Sequence, residues 1–91
     1  MFYTYILQSI PNPSKHYTGS TANLRSRLRD HNQGKSPYTK KLKPWRLLFY
    51  AAFPDKSAAL NFEQYLKTGS GRAFLQKHFI SSSNSTQIVG D

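Results

Sequence analysis

The fold is decided by the stretch Tyr17-Thr18-Gly19-Ser20-Thr21-Ala22-Asn23-Leu24-Arg25-Ser26-Arg27-Leu28-Arg29-Asp30-His31. Its start has strand composition, and Gly19 is expected to turn the chain. Ser20 or Thr21 can cap the basic helix that follows, and Gly34 can end it. The stretch holds a phenol, a glycine, arginines and an imidazole, which are groups that phosphodiester chemistry uses. We therefore interpret the rest of the chain as a scaffold that holds this stretch against one distant carboxylate.

Helical geometry separates one arginine in this stretch from its neighbours. With Leu24 at zero and about 100° per residue, Arg27 lies near 300° and His31 near 340°. Arg27 and His31 therefore border the buried stripe of the helix. Arg25 and Arg29 fall at about 100° and 140° and are predicted to point to solvent.

The flanking sequence predicts a small α/β (α+β) domain. Residues 2–8 are apolar on both faces, which is typical of a central strand. The prolines of residues 9–15 predict a loop that returns the chain as an antiparallel strand over 16–20. Residues 45–53 have strand composition too, and further helices are expected at 54–68, capped by Asp55, and at 72–79. The fold class is thus a three-stranded, mainly antiparallel sheet flanked by helices, in the order β-β-α-β-α-α.

Domain organisation follows from length and composition. Ninety-one residues suffice for one modest core, so residues 1–80 are predicted to form a single domain. Residues 81–91 are polar, lack a burial pattern and are predicted to be a disordered tail. The chain has no cysteine, which excludes disulfides and thiolate metal sites. No apolar run is long enough to span a membrane, and we expect a cytoplasmic monomer.

Charge is the most informative bulk property. Thirteen Lys and Arg against four Asp and Glu give a net charge of +9 and a pI near 10.1. Such a balance favours a polyanionic partner, nucleic acid before anionic membrane, although a generic basic protein would also fit. The long loop at 33–44, with a short helical turn expected near 38–42, is rich in cations. We expect one wall of a groove for nucleic acid to be formed by Arg25 and Arg29, and the other by Lys35, Lys40, Lys41 and Lys43.

One carboxylate stands out among the four acids. Asp91 is terminal, Asp55 is placed to cap a helix, and Asp30 lies on the solvated side of its helix. Glu63 alone adjoins an apolar stripe, at about 40° from Ala59. It could pair with a lysine or arginine, or it could be a ligand of a hard metal. A single carboxylate suits Mg²⁺, which keeps most of its waters and takes other ligands from a phosphate.

The order of elements, with the residues that it carries, resembles the GIY-YIG endonuclease superfamily. Those residues are Tyr3-Thr4-Tyr5, Tyr17-Thr18-Gly19, Arg27, His31 and Glu63. The resemblance extends over about residues 1–79. It is closest to small bacterial single-domain proteins related to the N-terminal nuclease domain of the excision-repair incision subunit. Tyr17-Thr18-Gly19 matches the second half of the signature, and Arg27 stands eight residues after Gly19, as the family's arginine does.

The sequence departs from the family pattern at four points. Tyr3-Thr4 replaces Gly-Ile in the first half of the signature. Ser20 and His31 stand where the excision-repair nucleases carry lysine and tyrosine. The asparagine that those enzymes place after the glutamate helix has no evident counterpart. Taken singly, the tyrosines could also be core residues, Arg27 a surface charge and His31 a capping residue.

The resemblance implies metal-dependent hydrolysis of phosphodiester bonds in DNA. Glu63 would hold one Mg²⁺ or Mn²⁺, Tyr17 would act as general base, and Arg27 would neutralise charge on the phosphoryl oxygens. A free phenol has a pKa of about 10, so nearby positive charge would have to lower it for that task. The remaining assignments are Tyr5 and His31, which would orient water and phosphate, and Gly19 and Ser20, which would lie against DNA.

Two alternatives to an enzyme stay open at this point. The first is a DNA-binding module that has lost cutting, for which Ser20 and the missing asparagine argue. The second is an accessory subunit that positions a repair enzyme. Intact Glu63, Tyr17 and Arg27 favour the enzyme. Branched or flapped DNA, RNA as a target, and a protein partner that supplies specificity are all compatible with the sequence.

Overall fold

The computed structural model describes residues 1–78, and the predicted tail at 81–91 lies outside them. Three strands and three helices follow one another in the predicted order β-β-α-β-α-α. They are β1 (Phe2–Ser9), β2 (His16–Thr21), α1 (Leu24–Asn32), β3 (Trp45–Phe53), α2 (Lys56–Leu66) and α3 (Gly69–His78), with a 3₁₀ turn at Lys40–Leu42. None of these helices is long and apolar enough to cross a membrane.

The sheet is antiparallel throughout, in the order β2-β1-β3. The central place of β1 confirms the prediction from its apolar residues. Tyr5 lies between Gly19 of β2 and Tyr50 of β3 in the register. Because side chains alternate along a strand, Tyr5 and Leu7 point to one face, and their neighbour Ile6 points to the other.

Each face of the sheet has its own core. Tyr5, Leu7 and Trp45 are buried under α1. On the opposite face Ile6 packs with buried residues of the other elements, Leu48, Leu66 and Leu75. The Thr4 hydroxyl donates to the Ala59 carbonyl at 2.6 Å, which ties the central strand to α2. Full burial of such an aliphatic side chain is worth about 1.5–3 kcal/mol, so two small cores suffice for a domain of this size.

The start of α1 differs from the prediction. Ser20 and Thr21 continue the pairing of β2 with β1, so neither caps the helix, and Gly19 lies inside the strand rather than at a turn. The cap is Asn23, whose side chain accepts from the backbone N–H of Ser26 at 3.0 Å. Pairing with β1 uses the backbone hydrogen-bonding groups of this part of the strand, so the chain turns only after Thr21. Gly34, with φ of 77°, follows the end of the helix as predicted.

The start of α3 was also placed wrongly. The third helix is predicted at 72–79, but α3 already begins at Gly69. The Thr68 hydroxyl accepts from the Gly71 backbone N–H at 3.1 Å, and therefore caps this helix. A Cβ on Gly71 would collide with the Tyr65 carbonyl oxygen and come within 2.6 Å of the Leu66 Cα. Gly71 thus allows α3 to pack closely against the end of α2.

The loop at 33–44 is held to the domain at several points. Its 3₁₀ turn confirms the expected helical turn. The Trp45 indole donates to the Thr39 carbonyl at 2.9 Å, and the Ser9 hydroxyl donates to the Leu42 carbonyl at 2.7 Å. The Asn32 side chain accepts from the Trp45 backbone N–H at 2.6 Å. These bonds fix the loop beside the C-terminal end of α1.

Candidate active site

Four of the five predicted catalytic residues lie together on the α1 face of the sheet. Tyr5 comes from β1, Tyr17 from β2, and Arg27 and His31 from α1. The ring centroid of His31 lies 5.0 Å from that of Tyr17 and 5.9 Å from that of Tyr5. The Arg27 guanidinium interacts with both phenols, most strongly with Tyr5. The structure thus brings together Arg27 and His31, which helix geometry placed beside the buried stripe, and the two tyrosines that the family resemblance added.

Gly19 has a steric role in this cluster. A Cβ there would come within 2.6 Å of the Tyr5 hydroxyl oxygen and 3.0 Å of the Tyr17 ring. The Tyr5 side chain thus crosses over β2 at the one residue that has no side chain. The absence of a side chain at Gly19 is what lets the Tyr5 hydroxyl reach the edge strand, beside Tyr17.

A chain of buried hydrogen bonds runs from β1 to the loop. The Tyr5 hydroxyl lies 3.0 Å from His31 Nε2, and His31 Nδ1 lies 2.7 Å from the Thr39 hydroxyl. In an uncharged imidazole one ring nitrogen donates and the other accepts, so His31 donates to one of these two hydroxyls and accepts from the other. Thr39 is a site residue that sequence reasoning missed, because a threonine in a lysine-rich loop carries no pattern.

Burial determines the protonation states of Tyr5 and His31 in this chain of hydrogen bonds. Burial raises the pKa of the Tyr5 phenol, and the neighbouring Arg27 only partly offsets that effect. Burial also lowers the pKa of His31 below its ordinary 6.5, and the positive charge of Arg27 acts in the same direction. At neutral pH the phenol is therefore protonated and the imidazole is uncharged. Tyr5, which is 1% exposed, is suited to orient its neighbours and not to act as a base.

We expect stability to fall as the pH is lowered from 7.5 to 5.5. Unfolded His31 regains its ordinary pKa and binds a proton that the folded imidazole resists, so stability is full above pH 6.5 and is lost below it. The lowered pKa of His16 acts in the same direction. The measurement is the urea midpoint at both pH values for the wild type and for His31→Gln. The variant should show a smaller difference between the two values, and an unchanged difference would contradict a neutral, buried His31.

Glu63 occupies the other face of the sheet. Its carboxylate accepts from the Ser20 hydroxyl at 2.6 Å and pairs with Lys67 Nζ at 2.8 Å. Ser20 follows Gly19 directly in β2, so the two residues address opposite faces. The Glu63 carboxylate still helps to raise the pKa of Tyr5, although it is the smallest contribution. The site therefore spans the edge strand, with four residues on one side and the acid on the other.

The ion pair of Glu63 bears on both interpretations of this residue. Lys67 is the lysine partner that the first interpretation required, and its side chain is 49% exposed against 14% for Glu63. Within residues 1–78 no three acidic or histidine side chains cluster as a metal cage. A lone carboxylate whose partner is an exposed lysine fits a cation that keeps its waters, such as Mg²⁺, better than one that needs several protein ligands. The chemistry of this donor set is compatible with the expected ion, and Glu63 as its ligand stays a prediction.

Most of the predicted DNA-binding side chains are exposed, but two of them already interact with an acidic residue of this chain. Arg25 and Arg29 are exposed, as the helix geometry predicted. The loop lysines are exposed too, namely Lys35, Lys40, Lys41 and Lys43. Lys35 lies 3.8 Å from Asp30, and Ser20 is already bonded to Glu63. A groove between these two sets of cations stays a prediction.

Comparison with known proteins agrees with this arrangement. Residues 1–78 match the family described as the GIY-YIG catalytic domain. The chain is 38% identical over 72 residues to a UPF0213 protein of Streptococcus pyogenes serotype M3, an alignment that covers 78% of this chain and 76% of that one. A UPF0213 protein of Bacillus halodurans, solved by solution NMR, superposes with a TM-score of 0.54 at 32% identity and covers 99% of this chain and 94% of that one.

A second group of relatives is longer. The chain is 42% identical over 70 residues to the structure-specific endonuclease subunit SLX1 of Debaryomyces hansenii. That alignment covers 69% of this chain but 20% of SLX1, so the chain spans about a fifth of this relative's length. Because the matched domain extends over all of the described residues, 1–78, and the fold and the clustered side chains agree with it, the chain belongs to the GIY-YIG family.

Proposed function

We propose that this chain is a nuclease that hydrolyses phosphodiester bonds in DNA, and that Glu63 holds one Mg²⁺ or Mn²⁺. The observation that carries the proposal is the arrangement around the edge strand. Two phenols, a guanidinium and an imidazole meet on one face, and a single carboxylate lies behind Ser20 on the other. The net charge of +9 and the name of SLX1, a structure-specific endonuclease subunit, support DNA as the substrate.

Tyr17 is the better of the two phenols for the role of general base. Tyr5 is enclosed by β2, α1 and its bond to His31, so water cannot reach its oxygen. Tyr17 is half-buried, lies beside the same Arg27, and lines an open cleft. A base must reach both the attacking water and solvent, to which it passes the proton. The rings of Tyr5 and His31 pack against the Tyr17 ring and would keep it in one orientation.

Arg27 and Glu63 would stabilise the negative charge that develops during hydrolysis, Arg27 directly and Glu63 through the ion that it holds. Arg27 faces both phenols, where a guanidinium can stabilise negative charge that builds on the phosphoryl oxygens. When bound, the ion would supply charge stabilisation at the phosphate and at the leaving oxygen. For Glu63 to receive it, Lys67 must leave the carboxylate. Its exposed side chain makes that exchange inexpensive, since a surface ion pair contributes at most about 1 kcal/mol.

The same ion pair favours a second candidate function. A DNA-binding module or accessory subunit without cutting activity would have no need to release Glu63, and Lys67 would then be its permanent partner. The basic surface would still bind phosphates. The two functions therefore differ in what the carboxylate does, not in whether the protein binds DNA.

The deciding experiment incubates the full chain with branched, flapped and plain duplex DNA. Each substrate is tested with Mg²⁺, with Mn²⁺ and with a chelator. We expect cutting only with the metals, and faster cutting of branched or flapped DNA than of plain duplex. Tight binding without cutting under every condition would overturn the nuclease in favour of the binding module. Absence of both would overturn the two functions together.

A further inference from the structure

The open cleft that Tyr17 lines adjoins the candidate active site on the α3 side of β2. Its volume is about 590 Å³. Lys15, His16 and Tyr17 line one wall, at the start of the edge strand, and Lys67 and Arg72 line the other, at α2 and α3. Tyr17 belongs both to this cleft and to the catalytic cluster. A strand that places a phosphate at Tyr17 can therefore continue directly into the cleft.

The charged side chains that line this cleft are all positive. Its lining includes three cations and no carboxylate. Lys67 is neutralised by Glu63, but Lys15 and Arg72 are exposed and have no acidic partner anywhere in residues 1–78. Cations that converge on a concave surface concentrate positive potential there, which attracts anions. Two positive charges thus stay available for a ligand.

The cleft is also lined by uncharged side chains that can donate hydrogen bonds. The Thr18 hydroxyl and the Gln76 amide line the same walls and can donate. Phosphodiester oxygens only accept, so their chemistry complements this set of groups.

We propose that this cleft binds backbone phosphates of the DNA strand that passes Tyr17, with Lys15 and Arg72 as its phosphate contacts. The inference rests on the proposed function in taking DNA as the ligand, but it does not require cutting. It assigns DNA contacts to a loop and a helix that the sequence left without a function. It also gives the bound strand a direction, from the α1 face past Tyr17 to α3.

The test compares two double variants of the full chain that each lose two positive charges. Lys15→Gln/Arg72→Gln alters the cleft, and Lys56→Gln/Lys77→Gln removes exposed lysines that do not line it. Fluorescence anisotropy with labelled duplex DNA in chelator gives the affinity over a range of KCl concentrations. We expect the cleft variant to bind at least about tenfold more weakly than the control variant. Its log–log salt slope should fall by about 1.8, because each phosphate contact contributes about 0.9.

The outcomes separate this proposal from the proposed function. Equal affinity and slope in the two double variants would overturn the cleft, whatever the wild type cuts. A loss confined to the cleft variant supports the cleft even if the wild type cuts nothing. Melting curves check that both variants fold, and Lys15→Gln alone, at an exposed loop residue, replaces the double variant if that one does not. In NMR titrations with a short duplex, shifts at the Thr18 and Gln76 amides are expected, and their absence during binding would also overturn the cleft.

Discussion

Glu63→Gln is expected to cut DNA at least about 100-fold more slowly than the wild type. The substitution keeps the shape of the side chain and removes the charge that would hold Mg²⁺ or Mn²⁺. A metal ion supplies several kcal/mol of charge stabilisation in the transition state, and each 1.36 kcal/mol is a factor of ten in rate. The measurement is the single-turnover cutting rate on a flapped duplex at saturating protein.

The fold should tolerate this substitution. The amide oxygen of glutamine can still accept from Ser20, so the loss is the ion pair with Lys67, which joins residues four apart on a helix. Such a pair is worth about 0.3–0.5 kcal/mol, and the melting temperature should change by only a few degrees. Metal-free DNA affinity should be unchanged or higher, because one anion has left a surface that attracts phosphate.

Asp30→Asn is the matched control for Glu63→Gln. It also turns a carboxylate into an amide and removes an ion pair with lysine, but it does so on α1, outside the predicted catalytic set. The control should cut at a rate close to that of the wild type. The catalytic assignment of Glu63 is falsified if both variants cut alike. A large loss of stability in Glu63→Gln, with cutting kept in the folded fraction, would make the ion pair its whole function.

Gly71→Ala is expected to destabilise the domain by about 3 kcal/mol or more. The added methyl group would meet the backbone of α2 at Tyr65 and Leu66, and backbone atoms cannot move aside as a flexible side chain can. The two helices would have to separate where Leu66 and Leu75 share a core. For a domain of this size that loss lowers the melting temperature by roughly 12–24 °C, which differential scanning calorimetry measures directly.

Gly69→Ala is the control at the other glycine of the same segment. No heavy atom lies within 4 Å of the Cβ that it would add, and Gly69 is the first residue of α3. Alanine there should be neutral or should stabilise by up to about 1 kcal/mol, since it restricts the unfolded chain. Equal melting temperatures for the two variants would show that α2 and α3 do not approach each other at Gly71.

The predictable parts of the fold were those with a strong periodic pattern. The central position of β1, the cap at Asp55 and the separation of Arg27 from Arg25 all followed from side-chain period and residue type. The errors fell where a local signal competed with tertiary structure. Ser20 resembles a helix cap, yet strand pairing with Thr4 took its backbone. The third helix is predicted to begin at residue 72, yet it begins at Gly69, and its close packing against α2 requires Gly71.

The residues of the candidate site also fall into those that the sequence predicted and those that it could not. Helix geometry and the family resemblance brought Tyr5, Tyr17, Arg27 and His31 together, and the structure agrees. Thr39 could not be found, because its role depends on where a loop folds back rather than on its neighbours in sequence. Lys15 and Arg72 were missed for a related reason. They line one cleft only because α3 lies across it from the start of β2, and no pattern in either segment records that arrangement.

The bonds from Tyr5 through His31 to Thr39 constrain how this chain can evolve. An imidazole has two polar atoms on opposite edges of one ring, and both are used here in a fully buried position. A tyrosine at residue 31, as in the excision-repair nucleases, has a single hydroxyl and cannot reach both partners. Substitution there would leave the Thr39 hydroxyl buried without a partner. Residues 31 and 39 are therefore expected to change together among relatives, with an apolar side chain at 39 wherever tyrosine stands at 31.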